Sequence, residues 1–286
     1  MRDSESQFHT IRGLRYHVRR WPAPGAPKIV LLHGWMDVSA SFQFLVDELQ
    51  GSWDIHAPDW RGYGLTDWDK SDCYWFPDYL ADLDFLLDAI GEPVHLVGHS
   101  LGGNVATMYA GVRPERIAKL VNLEGFGLAA TTAEEAPRRY ARWLQELHER
   151  PGFRPYAGFA ELAKRLREGN PRLTAERAEF LARHWGREAE GKVVLRGDPA
   201  HKIVNPVLYR YEEVRACWRQ VRAPVLWVDA TETTALKRIG LDQGQYAERR
   251  GAFANLRYET VKDAGHMLHH DQPRAVARLI EAFLAG

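Results

Sequence analysis

Four apolar runs of strand length punctuate the first half of the chain: "KIVLLH" (28–33), "WDIHAPD" (53–59), "PVHLVGH" (93–99) and "IAKLVNL" (117–123). Short runs without alternation suit strands buried on both faces, as in a parallel sheet. Between them the period lengthens to that of a helix. "SASFQFLVDELQG" (39–51) puts Phe42, Leu45, Val46 and Leu49 on one face and stops at a glycine. "PDYLADLDFLLDAIG" (77–91) carries the stripe Leu80, Leu83, Leu87 and Ile90, and "GGNVATMYAGVRP" (102–114) ends at a proline. This alternation predicts a mostly parallel sheet covered by helices.

From about Phe126 to Ala216 the strand-like runs give way, apart from "KVVLR" (192–196), to helical spacing interrupted by prolines. Strand signals resume at "PVLWV" (224–228) and "LRYETV" (256–261), and "PRAVARLIEAFLAG" closes the chain as a helix. The pattern predicts a helical cap over 126–216, inserted between two parts of one core, 1–125 and 217–286.

Charge changes this picture little. Lys+Arg and Asp+Glu both number 38, so the formal net charge is zero, which excludes the basic footprint of a nucleic-acid binder. The predicted cap is modestly basic, with 17 Lys+Arg against 13 Asp+Glu; a solvated helical face accounts for that. No apolar run reaches the roughly 18–20 residues a membrane span needs. The opening "MRDSESQFHT" lacks the apolar centre of an export signal. Cys73 and Cys217 then read as reduced thiols and the protein as cytoplasmic. A homodimer is compatible with the sequence.

The candidate chemistry starts at "VHLVGHSLGGNVA" (94–106), which holds Gly98-x-Ser100-x-Gly102 followed by Gly103. The bare pattern is weak, but here it follows a buried strand and opens a helix, the setting of a nucleophile elbow. The helix start offers backbone N–H groups to a developing oxyanion. One donor is the N–H of Leu101; the second should come from the loop after the first long strand, "LLHGWMD" (31–37), at Trp35. A base is needed near the C-terminus, where "VKDAGHMLHHDQP" (261–273) offers His266, His269 and His270. His266, directly after the last strand, is the expected base; His269 and His270 suit surface or capping roles. His33, His95 and His99 read as packing or loop-bonding groups.

Together "HGW", "DWRGYG" (59–64), "GHSLGG" and "AGHMLHHDQP" resemble, in order and spacing, the motifs of the α/β-hydrolase family, in its serine hydrolase branch with a helical cap. The resemblance runs over nearly the whole chain. It implies an eight-stranded sheet, a cap after strand six and a Ser–His–acid triad, with "DWRGYG" a structural turn. Haloalkane dehalogenases and epoxide hydrolases of this fold carry aspartate at the elbow. Their chemistry at a saturated carbon would leave an inert ether on Ser100, whereas acyl transfer suits serine. The carbon–carbon bond hydrolases have an aromatic residue after the base, where this chain has Met267.

The acid is the irregular part. Most members of the family place an aspartate after strand seven in a Gly-x-x-Asp loop, but "VDATETT" puts Thr233 at that offset, with Glu232 one residue early and Asp229 at the strand end. A subgroup carries glutamate at the end of strand six, where Glu124 stands here in "KLVNLEGFG". Glu124 is the first choice, Glu232 the second and Asp229 the third. The resulting expectation is a serine hydrolase cleaving an ester or other activated acyl bond of a small-molecule acyl substrate through an acyl-enzyme. No cofactor and no metal are expected. Carbon–carbon hydrolysis, perhydrolysis in the same site, and a ligand-binding sensor with an idle triad are the alternatives. The cap aromatics Trp143, Phe153, Tyr156, Phe159, Trp185, Tyr209 and Tyr211 either line an acyl pocket or, for most of them, form the cap's own core.

Overall fold

All six apolar runs outside 126–216 form strands of one sheet in the computed structural model, which describes residues 1–91 and 93–286. In chain order the first strands are β1 (Glu5–Ile11), β2 (Leu14–Trp21), β3 (Lys28–Leu32), β4 (Asp54–Pro58), β5 (Val94–His99) and β6 (Ile117–Leu123). A short hairpin follows, β7 (Gly186–Ala189) and β8 (Lys192–Leu195), and the main sheet is completed by β9 (Val225–Ala230) and β10 (Leu256–Val261). The order across the eight-stranded sheet is β1-β2-β4-β3-β5-β6-β9-β10. β2 pairs antiparallel with both its neighbours, and the pairs from β4 to β10 are parallel. Every residue of β4 and β9 is buried, as in strands covered on both faces.

The β1–β2 hairpin lies outside the expected elements. Its polar, arginine-rich sequence hides Tyr16, His17, Val18 and Trp21, all of them buried. Its two-residue turn has Arg12 at φ 49° and Gly13 at φ 84°, both positive as a type I′ connection demands.

Helices cover both faces of the sheet. One apolar layer gathers α2 (Phe76–Ile90), α3 (Leu101–Val112) and α7 (Tyr211–Trp218). The other gathers α1 (Gln43–Glu48) and α11 (Pro273–Ala285). On α2 the buried face is Tyr79, Leu83, Leu86 and Leu87, turned away from the expected stripe so that Leu80 and Ile90 are only partly covered. The turn carries Asp82 inward to meet the buried Arg61. Arg61 Nε and Nη2 donate to Asp82 at 2.6 and 2.7 Å, and the Tyr16 hydroxyl donates to the same carboxylate at 3.1 Å. Asp59, the other charged residue of "DWRGYG", accepts the N–H groups of Ser39 at 2.6 Å and Leu65 at 2.9 Å. That stretch is a hydrogen-bonded turn.

Between β6 and α7 the chain forms α4 (Ala136–Glu149), α5 (Phe159–Gly169), α6 (Ala175–Trp185) and the β7–β8 hairpin. α5, α6 and β8 enclose a separate apolar cluster, into which α1 inserts only Phe44. The expected boundary at 216 falls inside α7, and Val214 and Trp218 pack into the main core. The chain therefore rejoins the core before that boundary, because a helix cannot be divided while its apolar face is buried against the sheet. The remaining helices α8 (Ala235–Arg238), α9 (Gln243–Arg250) and α10 (Leu268–Asp271) lie in the loops that follow β9 and β10. Among the described residues no helix is long and apolar enough to cross a membrane.

Removing one partner of a buried ion pair leaves the other charge uncompensated. Asp82→Ala is expected to lower unfolding free energy by about 3–5 kcal/mol, read as a reduced urea midpoint at unchanged m-value.

Candidate functional site

The chain order reverses at β3: the sheet continues to β4 on one side and β5 on the other. Loops leaving the carboxyl ends of β3 and β5 diverge there and open a crevice, the usual ligand position in an open α/β sheet. Ser100 sits in that crevice between β5 and α3, at φ 51° and ψ −113°. Such a backbone costs about 1–3 kcal/mol and persists only when its surroundings enforce it. The flanking glycines do so. A Cβ at Gly98 would strike the Gly102 carbonyl, one at Gly102 the Leu32 carbonyl, and one at Gly103 the Asn122 side-chain oxygen. The Ser100 N–H donates to the Leu123 carbonyl at 2.9 Å, and the Ser100 side chain does not cap α3.

The loop after β3 runs beside this serine. A Cβ on Gly34 would lie 3.3 Å from Ser100 Cβ and 2.9 Å from His99 Nδ1, so glycine permits the approach. His33 pins the loop: its Nε2 accepts the Trp60 N–H at 2.9 Å, and its Nδ1–H donates to the Gly34 carbonyl at 2.8 Å. Trp35 follows, with its indole more than half exposed and donating to the His201 carbonyl at 3.3 Å. Among the described residues neither the Trp35 N–H nor the Leu101 N–H is taken by a protein acceptor.

Ser100 Oγ donates to His266 Nε2 at 3.0 Å, and His266 Nδ1–H donates to Glu124 Oε2 at 3.0 Å. His99 holds the histidine's backbone, its Nε2–H donating to the His266 carbonyl at 2.8 Å. Glu124 stands at φ 58°, a left-handed turn immediately after β6. Asn122 stabilises that turn by accepting the Gly125 N–H at 3.0 Å and donating to the Gly125 carbonyl at 2.9 Å. Arg249 on α9 then clamps the Phe126 and Leu128 carbonyls at 2.7 and 2.8 Å. The glutamate is itself held by the Ala230 N–H at 2.6 Å and the Thr233 hydroxyl at 2.5 Å. These partners, at the end of β9 and in the loop after it, carried no signal beyond the missing aspartate: the threonine at the expected offset donates to an acid from the neighbouring strand.

The other two carboxylates point elsewhere. Glu232 is half-exposed and paired with Arg172. Asp229 is buried against Tyr246 and accepts the Trp227 indole N–H at 3.0 Å. The surface or capping reading of His269 and His270 is overturned, since both are buried. The chain after His266 folds back as α10 and tucks them inward, with the His269 ring 4.4 Å from that of His99. Of the cap aromatics, Trp185 lines the main cavity, Tyr156 and Phe159 pack on the cluster of α5, α6 and β8, and Tyr209 joins the main core.

Burial dominates the electrostatics. It pushes Glu124 up to about 7 against the opposing pull of the Ala230 and Thr233 donors, and it pushes His266 down to about 4, with Arg238 adding to the effect. The two groups touch, so their protons belong to the pair, with the carboxylate raised and the imidazole lowered. At mildly alkaline pH the imidazole is neutral and the carboxylate charged, the state in which Nε2 can take a proton from Ser100. A cavity of about 810 Å³ opens on Ser100 and His266 and is lined also by Arg172, Trp185 and Arg238. A second, of about 240 Å³, reaches Ser100 from the side of Trp75, Phe76, Tyr79 and Leu101.

Over residues 27–273 the chain matches the family model described as alpha/beta hydrolase fold. A serine hydrolase-like protein of Danio rerio is 29% identical over 273 residues, spanning 92% of this chain and 82% of its own. Serine hydrolase-like protein 2 of Homo sapiens is 25% identical, spanning 93% of this chain and 89% of its own. Among solved structures, a thioesterase domain from the curacin biosynthetic pathway superposes with a TM-score of 0.87 at 22% identity, covering 98% of this chain and 99% of that one. At that identity the likeness is one of fold.

Glu124→Gln is expected to cut turnover of an aryl ester by about 10⁴-fold, the effect of removing a carboxylate that orients a histidine base. Glu232→Gln should stay near wild type; the opposite pattern would remove Glu124 from the site. The wild-type pH profile of kcat/KM should fall along a one-proton acid limb near pH 7. In Glu124→Gln that limb should move lower, because the buried imidazole then has no carboxylate with which to share a proton.

Proposed function

The chain belongs to the alpha/beta hydrolase fold family, and from that premise we propose that it is a serine hydrolase cleaving an ester or another activated acyl bond through an acyl-enzyme. The observation that carries this reading is the unbroken hydrogen-bonded line from Ser100 Oγ through His266 to Glu124, with 3.0 Å at each step. His266 Nε2 takes the hydroxyl proton as Ser100 Oγ bonds to the substrate's carbonyl carbon. Glu124 fixes the tautomer that leaves Nε2 free and balances the imidazolium that forms. The oxyanion is received by the N–H groups of Trp35 and Leu101. His266 then returns its proton to the leaving group as the carbonyl–heteroatom bond breaks. A water deprotonated by the same nitrogen releases the acid and restores Ser100.

The two cavities divide the substrate between them. The smaller, walled by Trp75, Phe76 and Tyr79, suits an apolar acyl group. The larger suits the leaving group and its exit. In this reading the segment between β6 and α7 is a cap: it has an apolar cluster of its own and lends Arg172 and Trp185 to the cavity wall.

A fluorophosphonate probe should label the wild type and not Ser100→Ala. Failure to label folded wild-type protein would favour a ligand-binding role with an idle serine. Across nitrophenyl esters of rising acyl length, kcat/KM should climb about fourfold per methylene, from about 0.8 kcal/mol each, and then break once the smaller cavity is full. A series flat from acetate upward would place the acyl group elsewhere.

A further inference from the structure

Behind His266 lies a second group of polar side chains that the acyl chemistry leaves unused. Asp37 closes the loop after β3, and His269 and His270 sit on α10; all three are buried. One ligand atom from each lies within 4.8 Å of the others. Asp37 Oδ2 and His269 Nε2 are 3.9 Å apart, and the two imidazole centroids 4.2 Å.

The hydrogen bonding of this group is lopsided. Asp37 Oδ1 accepts three donors: the Val38 N–H at 2.8 Å, the Ser41 hydroxyl, and the Trp185 indole N–H at 3.1 Å. Asp37 Oδ2, both ring nitrogens of His269 and Nε2 of His270 have no partner among the described residues. A buried polar atom without a partner costs about 1–3 kcal/mol, and these three side chains hold four of them. His270 is also bonded to the Ser41 backbone. A ring nitrogen that donates to backbone fixes the tautomer and leaves the other as a lone-pair donor, the arrangement found behind metal-bound histidines.

We infer that Asp37, His269 and His270 form a binding site for a divalent transition metal of the zinc class, entered from the larger cavity. Two imidazole nitrogens and one carboxylate oxygen are a donor set such ions prefer, and they leave a fourth position open. Bonds of roughly 2.0–2.2 Å to the ion require the three side chains to draw together by about an ångström. Asp37 lines the cavity that also reaches His266, which supplies the path of entry. Through Trp185 the site also touches α6, so an ion on Asp37 would engage the carboxylate that anchors that helix to the core.

The test is a titration of the chelator-stripped full chain with cobalt(II), followed by the visible band of a tetrahedral complex, and with zinc by calorimetry. One equivalent should bind per chain, and the melting temperature should rise with zinc concentration, as it does for any ligand of the folded state alone. Affinity should fall by about tenfold or more in His270→Gln and in Asp37→Asn, and persist in His266→Asn. Absence of stoichiometric binding to the wild type overturns the inference. So does binding that disappears in His266→Asn but survives in folded His270→Gln, which would put the ion on the serine's own histidine. Should Asp37→Asn fail to fold, His270→Gln and His269→Asn decide between these outcomes.

Discussion

A single extra carbon on Gly102 would collide with the carbonyl oxygen of Leu32, and the arrangement around Ser100 depends on that space staying clear. Because it is clear, the first turn of α3 seats directly against the end of β3. The loop carrying Gly34 and Trp35 then passes beside Ser100, and the serine is forced to positive φ with its hydroxyl turned away from the helix it precedes. The same crowding recurs one strand along, where the Asn122 side-chain oxygen occupies the room a Cβ on either Gly103 or Gly125 would need. Glu124 directly precedes Gly125 and, like Ser100, has a positive φ. Two strained residues on adjacent strands are thus held by one glycine-lined seam, and the strain is balanced by the packing of β3, β5 and β6.

Burial sets the chemistry of this seam. Glu124 is fully buried and His266 largely so, and each group resists charge, the glutamate moving up and the histidine down. The Ala230 N–H at the end of β9 and the Thr233 hydroxyl in the loop after it partly restore the carboxylate, so that loop supplies a donor where an acid was expected. Burial likewise makes Asp37, His269 and His270 costly when unpartnered. The interior carries two clusters of ionisable groups back to back, joined through His99: its Nε2–H bonds the His266 carbonyl and its ring lies against that of His269.

Much of the fold was legible because buried parallel strands have a clear signature, and β3, β4, β5, β6 and β9 coincide with such runs, while the edge strand β10 was marked by "LRYETV". The β1–β2 hairpin escaped because polar residues interrupt its apolar positions: in "LRYHVRRW" the buried Tyr16, Val18 and Trp21 are separated by a histidine and two arginines. The expected end of the cap at 216 falls inside α7, which shares the Arg- and Glu-rich character of the helices before it. Only its contact with the main core sets it apart. His269 and His270 gave no sign of burial, since two adjacent histidines before "DQP" look the same whether α10 faces outward or inward.

The sequence by itself determined the strand-and-helix order, the elbow at Ser100 and the histidine after the last strand, because each rests on local spacing and on residues small enough to turn. Which carboxylate meets that histidine was decided only by the tertiary structure. Glu124 and the Ala230 N–H that holds it are 106 positions apart in the chain and become neighbours only when β6 and β9 pair in register. Direction mattered as much as position. A glutamate at positive φ turns into the crevice, whereas Glu232, bonded through its backbone to Ala264, sends its side chain out to Arg172.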